Sequence, residues 1–507
     1  MTRAEGRRRQ ASRSSGGVPQ RAFGQVERQM PPVRLISDDQ VAAIHEAALR
    51  VLAEQGIRVL HAPARALYAS AGATVQAETV RLEPGLVAGL LATVPAAFII
   101  EARNPARNLR VGGGHCVYAS VGGPAYVMCN DKGRRDGTFA EMCDFLRLVQ
   151  GLNVIHQEGG GPFEPLDLPA NTRHLDIYHA QNRHLDKSWQ TQTLGHARTM
   201  DGIEMAAIML GTTPAGLIGR PVLMGIINTN SPLQLDVPMS EGLIALAGHG
   251  QVNVITPFTL AGAMAPVSVA GALVLQHAEA MAGIALTQIV RPGVPVMYGG
   301  FTSNVDMRSG APAFGTPEYA KAAQVSGQLA RHIGVPFRSS NVCAANEVDA
   351  QAAYESQMAL WGALTGGAHL LEHAAGWLHG GLTASFEKLI LDAEMLQMMD
   401  AYFEPLGTDP GDLALDAIFE AGAGGHFFAT AHTMARYRTA FHTPMLSNWD
   451  NHPNWLLKGG IDARTRANTV WKDLLAAAED PTLDLAVDEA LTHYVTRRKA
   501  EGGAPMN

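Results

Sequence analysis

Short apolar runs alternate with longer amphipathic stretches from about residue 115 to about residue 405. The runs at 117–121, 154–157, 188–193, 222–227, 252–257, 295–298, 336–339 and 369–371 predict strands. Apolar residues then recur at helical spacing near 138–150, 171–184, 196–210, 235–248, 266–290, 317–332, 347–364 and 385–401. A strand followed by a helix, repeated around the chain in this way, is the element order of a closed (β/α)8 barrel. An open doubly wound sheet needs a glycine-rich nucleotide turn after its first strand. Gly112, Gly113 and Gly114 precede one instead. The expected fold class is α/β, a TIM barrel.

The flanks read differently. Residues 1–34 form a basic arm, with Arg3, Arg7, Arg8, Arg9, Arg13, Arg21, Arg28 and Arg34 among Gly, Ser, Gln and Pro. Such a composition does not bury itself and is expected to stay mobile until it docks. Ser37, Asp38 and Asp39 stand ahead of an apolar stripe at Val41, Ile44, Ala48 and Val51, which predicts a capped helix. From there residues 35–112 are expected to form a small N-terminal α+β subdomain. The barrel is assigned to 113–405. Residues 406–507 are read as a mainly helical C-terminal extension, with a loop-rich centre at 422–449 and surface helices within 467–498.

Composition narrows the function. An apolar fraction of 47% with only 17% charged residues indicates a large buried core. A net charge of −8 argues against nucleic acid as the partner, because phosphate binding needs a basic surface. Cys116, Cys129, Cys143 and Cys343 form no CxxC pair, the usage of reduced thiols in a cytoplasmic protein. No hydrophobic core lies in the first thirty residues, so no secretory signal is read. The longest apolar run, 266–290, carries Gln276, His277, Glu279 and Gln288 and is expected to be a buried barrel helix rather than a membrane span. The arm and the apolar content together point to a homo-oligomer.

In a barrel the strand C-terminal ends build the pocket. Those ends here are rich in amides, hydroxyls and aromatic rings. The candidates are Glu158, Gln190, Asn228, Phe258, Tyr298, Phe301, Asn304, Asp306, Arg338, His373, Trp377 and His379. No HxH, HExxH or zinc-type Cys/His spacing occurs, and the metal assignment is none. Glu372 and His373 with His379 can be read as metal donors, or more simply as hydrogen-bonded pocket groups. No nucleophile elbow or P-loop is present, and Cys343 has no evident partner base. No catalytic residue is assigned. The aromatic faces suit a quaternary ammonium, which they attract by about 0.5–2 kcal/mol per face. The plainer reading of Asp306 and Asn304 is loop capping, and of Arg338 a salt bridge between loops.

Several runs carry a resemblance. NTNSPLQLD at 228–236, TPFTLAGAMAPV at 256–267 and YGGFTSNVDMRSG at 298–310 resemble the trimethylamine:corrinoid methyltransferase family. DAQAAYES at 349–356, HAAGWLHGGLTASFEK at 373–388 and GGHFFATAHT at 424–433 do so as well. The resemblance spans about 35–500. It implies a TIM barrel that lifts a methyl group from a methylated amine and passes it to Co(I) of a corrinoid (cobalamin) carried by a partner protein. Family members from archaea that act on trimethylamine carry pyrrolysine, whereas this chain holds standard residues only. It therefore looks like the non-pyrrolysine branch, whose members act on quaternary amines such as glycine betaine. The loop 339–349 is the expected place of the lost residue. The resemblance also implies that aromatic faces with Glu158 or Asp306 hold the ammonium. Arg338, or His373 with His379, would take a substrate carboxylate. Two alternatives stay open at this point: a TIM-barrel enzyme of other chemistry, such as a lyase, and a non-catalytic amine-binding protein.

Overall fold

The computed structural model describes residues 12–13 and 17–505 of the chain. Eight parallel strands form one sheet: β1 (Val117–Ser120), β2 (Gln157–Glu158), β3 (Ser188–Trp189), β4 (Met224–Thr229), β5 (Val252–Pro257), β6 (Val296–Gly299), β7 (Phe337–Ser340) and β8 (Leu370–Ala375). Neighbours in the sheet are neighbours in sequence, and β8 pairs with β1. The ring closes between β3 and β4, where Thr191 N donates to Met224 O at 3.0 Å and Gln190 bridges Met224. The expected TIM barrel is present.

Each strand is followed by its helix: α1 (Phe139–Gly151), α2 (Arg173–His184), α3 (His196–Met209), α4 (Val237–Gly248), α5 (Val269–Val290), α6 (Pro317–His332), α7 (Ala350–Thr365) and α8 (Phe386–Phe403). Capping side chains fix where six of them start. The Thr138 side chain caps α1 in a reciprocal box with Glu141, and the Thr316 hydroxyl accepts from Tyr319 N ahead of Pro317. β2 and β3 are short, and the chain leaves β2 directly into a glycine-rich turn at Gly159–Gly161.

Strand alternation sorts the side chains. Val117, Ala119, Met224, Val252, Val254, Met297 and Leu370 fill the barrel interior as one apolar cluster. The hairpin Phe98–Ile100 and Leu109–Val111 plugs the base of that cluster through Ile100, Leu109 and Val111. Two residues further along the same strands, the inward row becomes polar: Arg338 pairs with Gly299 across β6 and β7, and Glu372 follows Leu370 on β8. A sealed apolar floor thus carries a polar layer, above which lie the loops of the mouth.

Elements outside the barrel brace it. The helices Asp38–Arg50, Ala62–Ser70 and Pro84–Leu91 pack on α5, and Tyr68 donates to Ala282 O at 2.8 Å. That cover explains α5, which is long and apolar enough to cross a membrane yet has 78% of its most apolar window buried. Of the basic arm, Arg3, Arg7, Arg8 and Arg9 lie outside the described residues. Arg28 lies against the base of the barrel, donating to Leu364 O at 2.8 Å and Ala368 O at 2.6 Å. The C-terminal helices Ala463–Ala476 and Leu485–Ala500 clamp α8 and the α2–α3 pair, the latter through Arg498 Nε and Tyr494 on Asp201 at 2.6 and 2.8 Å.

Candidate functional site

The site grows from an irregularity in β8. Leu371 pairs with Tyr118 but Ala375 pairs with Ser120, so β8 carries extra residues across that stretch. Such a bulge re-aims a side chain, and here it does so at His373, whose φ of 53° is left-handed. A non-glycine residue in that region costs of order 1–3 kcal/mol and persists only where its surroundings enforce it. The imidazole is set 4.3 Å from the Trp377 ring and 6.2 Å from Phe301. Burial and the neighbouring Arg338 hold His373 well below the ordinary imidazole range, so it is neutral near pH 7.

Around it the loops after β5, β6 and β8 bring four rings together. Phe301 lies 5.1 Å from Phe258, 5.7 Å from Phe314 and 6.1 Å from Trp377. Trp377 is pinned by its polar edge, since its indole N–H donates to Cys343 O at 3.2 Å. The Cys343 thiol donates in return to Trp377 O at 3.3 Å. Burial pushes that thiol up to about 11, which makes Cys343 a prop for the tryptophan and not a nucleophile.

Beneath the rings the polar layer carries opposite charges with unused hydrogen-bonding capacity. The Arg338 guanidinium lies 5.2 Å from the Phe301 ring centre and is 1% exposed, and its Nε and Nη1 have no partner. Glu372 accepts from Gln190 Nε2 at 2.8 Å through one oxygen, while its other oxygen is unpartnered. Gln190 is steadied by Gln157 at 3.1 Å, which in turn donates to Ser188 at 3.1 Å. Burial pushes Glu372 up to about 7, and Arg338 pulls the other way. Gly299 is required beside this layer, because a Cβ there would collide with Thr256 and the Ile255 carbonyl.

The twelve sequence candidates separate. Phe258, Phe301, Trp377, His373, Arg338 and Gln190 meet at this cluster. Asn228, at the open end of β4, is exposed on the rim. Tyr298 is a correction: because Met297 fills the interior, Tyr298 points outward, and its hydroxyl meets Gln276 at 3.0 Å and His277 at 3.1 Å on α5. Asp306 is another, since its carboxylate caps its own turn, accepting from Ser309 Oγ at 2.7 Å and Ser309 N at 3.1 Å. Asn304 ties the loop to the start of α6 by accepting from Thr316 at 3.1 Å. Glu158 turns onto its own loop and α2, accepting from Gly160 N, Gly161 N and Gln181 at 3.0, 2.7 and 2.5 Å. His379 has both nitrogens engaged, at 2.8 Å from Thr383 and 2.8 Å from Asn346 O, so no donor set of Glu372, His373 and His379 assembles. Glu372, read from the sequence as a metal donor or a hydrogen-bonded pocket group, and Phe314 join the cluster although neither is among the twelve candidates. The signal for Glu372 was its place two residues beyond an inward leucine.

Comparison with known proteins decides the family. The family model described as Trimethylamine methyltransferase (MTTB) matches residues 3–503. The chain belongs to the trimethylamine methyltransferase family. Among relatives of this methyltransferase, a glycine betaine methyltransferase from Desulfitobacterium hafniense (strain Y51) is 35% identical over 475 residues, covering 94% of this chain and 99% of that one. Trimethylamine methyltransferase MttB2 of Methanosarcina mazei is 26% identical over 468 residues, covering 89% and 92%. Among solved structures, the Methanosarcina barkeri monomethylamine methyltransferase MtmB aligns with a TM-score of 0.46 and 9% identity over 71% of this chain and 74% of that one. Within this methyltransferase the loop 339–349 is held by Glu355 of α7, which accepts from Ala344 N at 2.8 Å and Ala345 N at 3.0 Å.

Proposed function

We propose that this enzyme removes one methyl group from a quaternary ammonium that also bears a carboxylate, as glycine betaine does, and delivers it to a corrinoid held by a partner protein. The observation that carries the reading is Arg338: a buried guanidinium with unpartnered N–H groups, beside a cluster of aromatic faces. A buried guanidinium with free donors is costly, and a ligand carboxylate satisfies those donors with charge-assisted hydrogen bonds. The faces of Phe258, Phe301 and Trp377 take the trimethylammonium end, which has no N–H to donate and is bound through its spread positive charge. Glu372 offsets Arg338, so a bound zwitterion leaves the pocket close to neutral.

A corrinoid in the Co(I) state supplies the nucleophile that accepts the methyl group. The exposed rim formed by Val267, Met307 and Leu382, on the loops after β5, β6 and β8, is the surface of this chain suited to a large apolar macrocycle over the mouth. The C–N bond breaks with its electron pair staying on nitrogen, so a quaternary nitrogen leaves as a neutral tertiary amine and requires no general acid. The chain's own residues hold the carboxylate at Arg338, turn one methyl outward, and keep water from the cation with the phenylalanine and tryptophan rings.

The test is methyl transfer to Co(I) cobalamin from glycine betaine, carnitine and choline, scored against Arg338→Met. Carboxylate-bearing substrates are expected to be preferred over choline by about 30-fold or more in kcat/KM, the scale of a desolvated charge pair. Arg338→Met is expected to erase that preference. Equal use of choline by the wild-type enzyme would sink the carboxylate assignment.

A further inference from the structure

Beyond the barrel, residues 404–461 do not behave as part of a soluble surface. Among the described residues of this segment, only Met445 and Leu446 join the hydrophobic core. The segment leaves α8 at Phe403, forms the short helices Pro410–Leu413, Leu415–Ala421 and Ala431–Arg436, and returns at Met445–Ser447. There Glu394 of α8 accepts from Met445 N at 2.8 Å and Ser447 Oγ at 2.7 Å. Phe419, Phe428, Phe441 and Trp449 are each 72% exposed or more. At about 150–250 Å² per ring they offer about 450–800 Å² of aromatic surface, the order that one partner commits to a standard interface. Helices of four to seven residues are too short to hold themselves together in water. Within this chain they are held by exposed contacts such as His432 on Gly411 O at 3.1 Å, and their rings are left uncovered.

A second unpartnered surface lies beside the root of this arm. On α7, Tyr354, Met358 and Trp361 face outward at one helical stripe, and on α8 Met398 and Tyr402 do the same. The Trp361 and Tyr402 rings meet at 5.0 Å and join the two stripes into one patch. The charged residue of α7, Glu355, points inward, so the exposed face of that helix carries no charge at all. Aromatic and methionine enrichment with loss of charge is the composition of an interface core.

We propose that these two surfaces are halves of one self-complementary contact, in which the 404–461 arm of each chain packs on the α7–α8 face of a second copy. Two-fold symmetry satisfies both at once, since each copy gives an arm and receives one. The chain's own arm does not cover the patch, although it starts two residues after Tyr402. A protein docking at the barrel mouth does not fit it either, because α8 runs away from the mouth and Met398 and Tyr402 sit in its last turns. The contact bears on the pocket as well: the inward sides of the same helices hold the mouth loops, Glu355 at Ala344 and Ala345, and Asp392 at Gly376 N at 2.9 Å.

The test is the mass of the full chain by sedimentation equilibrium at micromolar concentration, with hydrogen exchange on the same samples. The expected mass is at least twice that of one chain, with amides of 410–444 protected in the assembly and exposed on dilution. Tyr354→Glu combined with Trp361→Glu, and separately Phe428→Glu, should each weaken association by about 30-fold or more, the scale of a hot-spot side chain. Circular dichroism of the variants distinguishes weakened association from misfolding, and the wild-type exchange pattern stands independently of the variants. A wild-type monomer, an assembly indifferent to both variants, or protection of 410–444 that appears only when the corrinoid protein is added would each overturn the proposal.

Discussion

Glu158 and Glu372 flank β1 on the two neighbouring strands of the same barrel wall. Both are fully buried, and burial pushes both up to about 7. They differ in what surrounds the carboxylate. Glu158 meets two backbone N–H groups and Gln181, which together engage both of its oxygens. Glu372 meets Gln190 on one oxygen and nothing on the other, facing a guanidinium that is likewise unfinished. A raised pKa therefore does not mark a binding site by itself. What separates the two is satisfaction: Glu158 has its partners in place, while Glu372 and Arg338 are left short side by side, which is the reason for proposing a ligand there.

The largest effect that would break this contrast is expected at Arg338. Arg338→Met should lower affinity for glycine betaine by about 30-fold or more while leaving the melting temperature within a few degrees, since burial already holds Glu372 near 7 and it can take up a proton once its charged neighbour is gone. Calorimetric titration and a thermal melt on the same protein decide it. A large fall in melting temperature with unchanged affinity would make Arg338 architecture after all.

The carboxylates themselves come next. Replacing Glu158 by Gln turns an amide toward donors that need an acceptor, and should cost about 1–3 kcal/mol of stability in guanidinium unfolding with ligand affinity intact. Glu372→Gln should do the reverse, sparing stability and weakening substrate binding. A pH series sharpens the point. Each folded-state pKa lies above the unfolded carboxylate value, so the folded chain keeps a proton that the unfolded chain has lost. The stability each contributes is therefore fully present below the unfolded pKa and is lost as pH rises through about 7. Over that window each glutamate accounts for about 3 kcal/mol, and each glutamine variant should flatten the slope by its own share. An unchanged slope in both variants would refute the burial argument.

Much of the architecture was legible in the chain because a barrel repeats one local pattern, and period-2 and period-3.6 stretches alternate with little interference from outside. The expected helices 317–332 and 385–401 and the observed Pro317–His332 and Phe386–Phe403 differ by two residues at most. The pocket was less legible, for reasons of register. Tyr298 and Phe301 are three residues apart in one aromatic-rich run, and only knowing that Met297 points inward puts Tyr298 on α5 and leaves Phe301 free for the mouth. His373 reached the cluster through a bulge that no period announces. Asp306 looked like a ligand for a cation, yet Ser309 three residues on satisfies it in a local turn. Pairwise facts of this kind are set across the barrel, not along the chain.

The smallest expected effects test that register from both sides. Tyr298→Phe removes a hydroxyl bonded to Gln276 and His277 and should cost about 1 kcal/mol of stability without changing KM. At His373 the signs should oppose one another. Glycine adopts a φ of 53° freely, so His373→Gly relieves the strained backbone and offsets the flexibility that glycine adds to the unfolded chain. The net change in stability is then expected to stay within about 1 kcal/mol. The same substitution strips the ring that lies against Trp377 and Phe301, so turnover should fall. If His373 merely filled space in the wall, stability would drop with activity, as it does when a buried ring is removed from a core, by about 3 kcal/mol or more. Stability held with turnover lost is the outcome that places the strained residue in the service of the pocket.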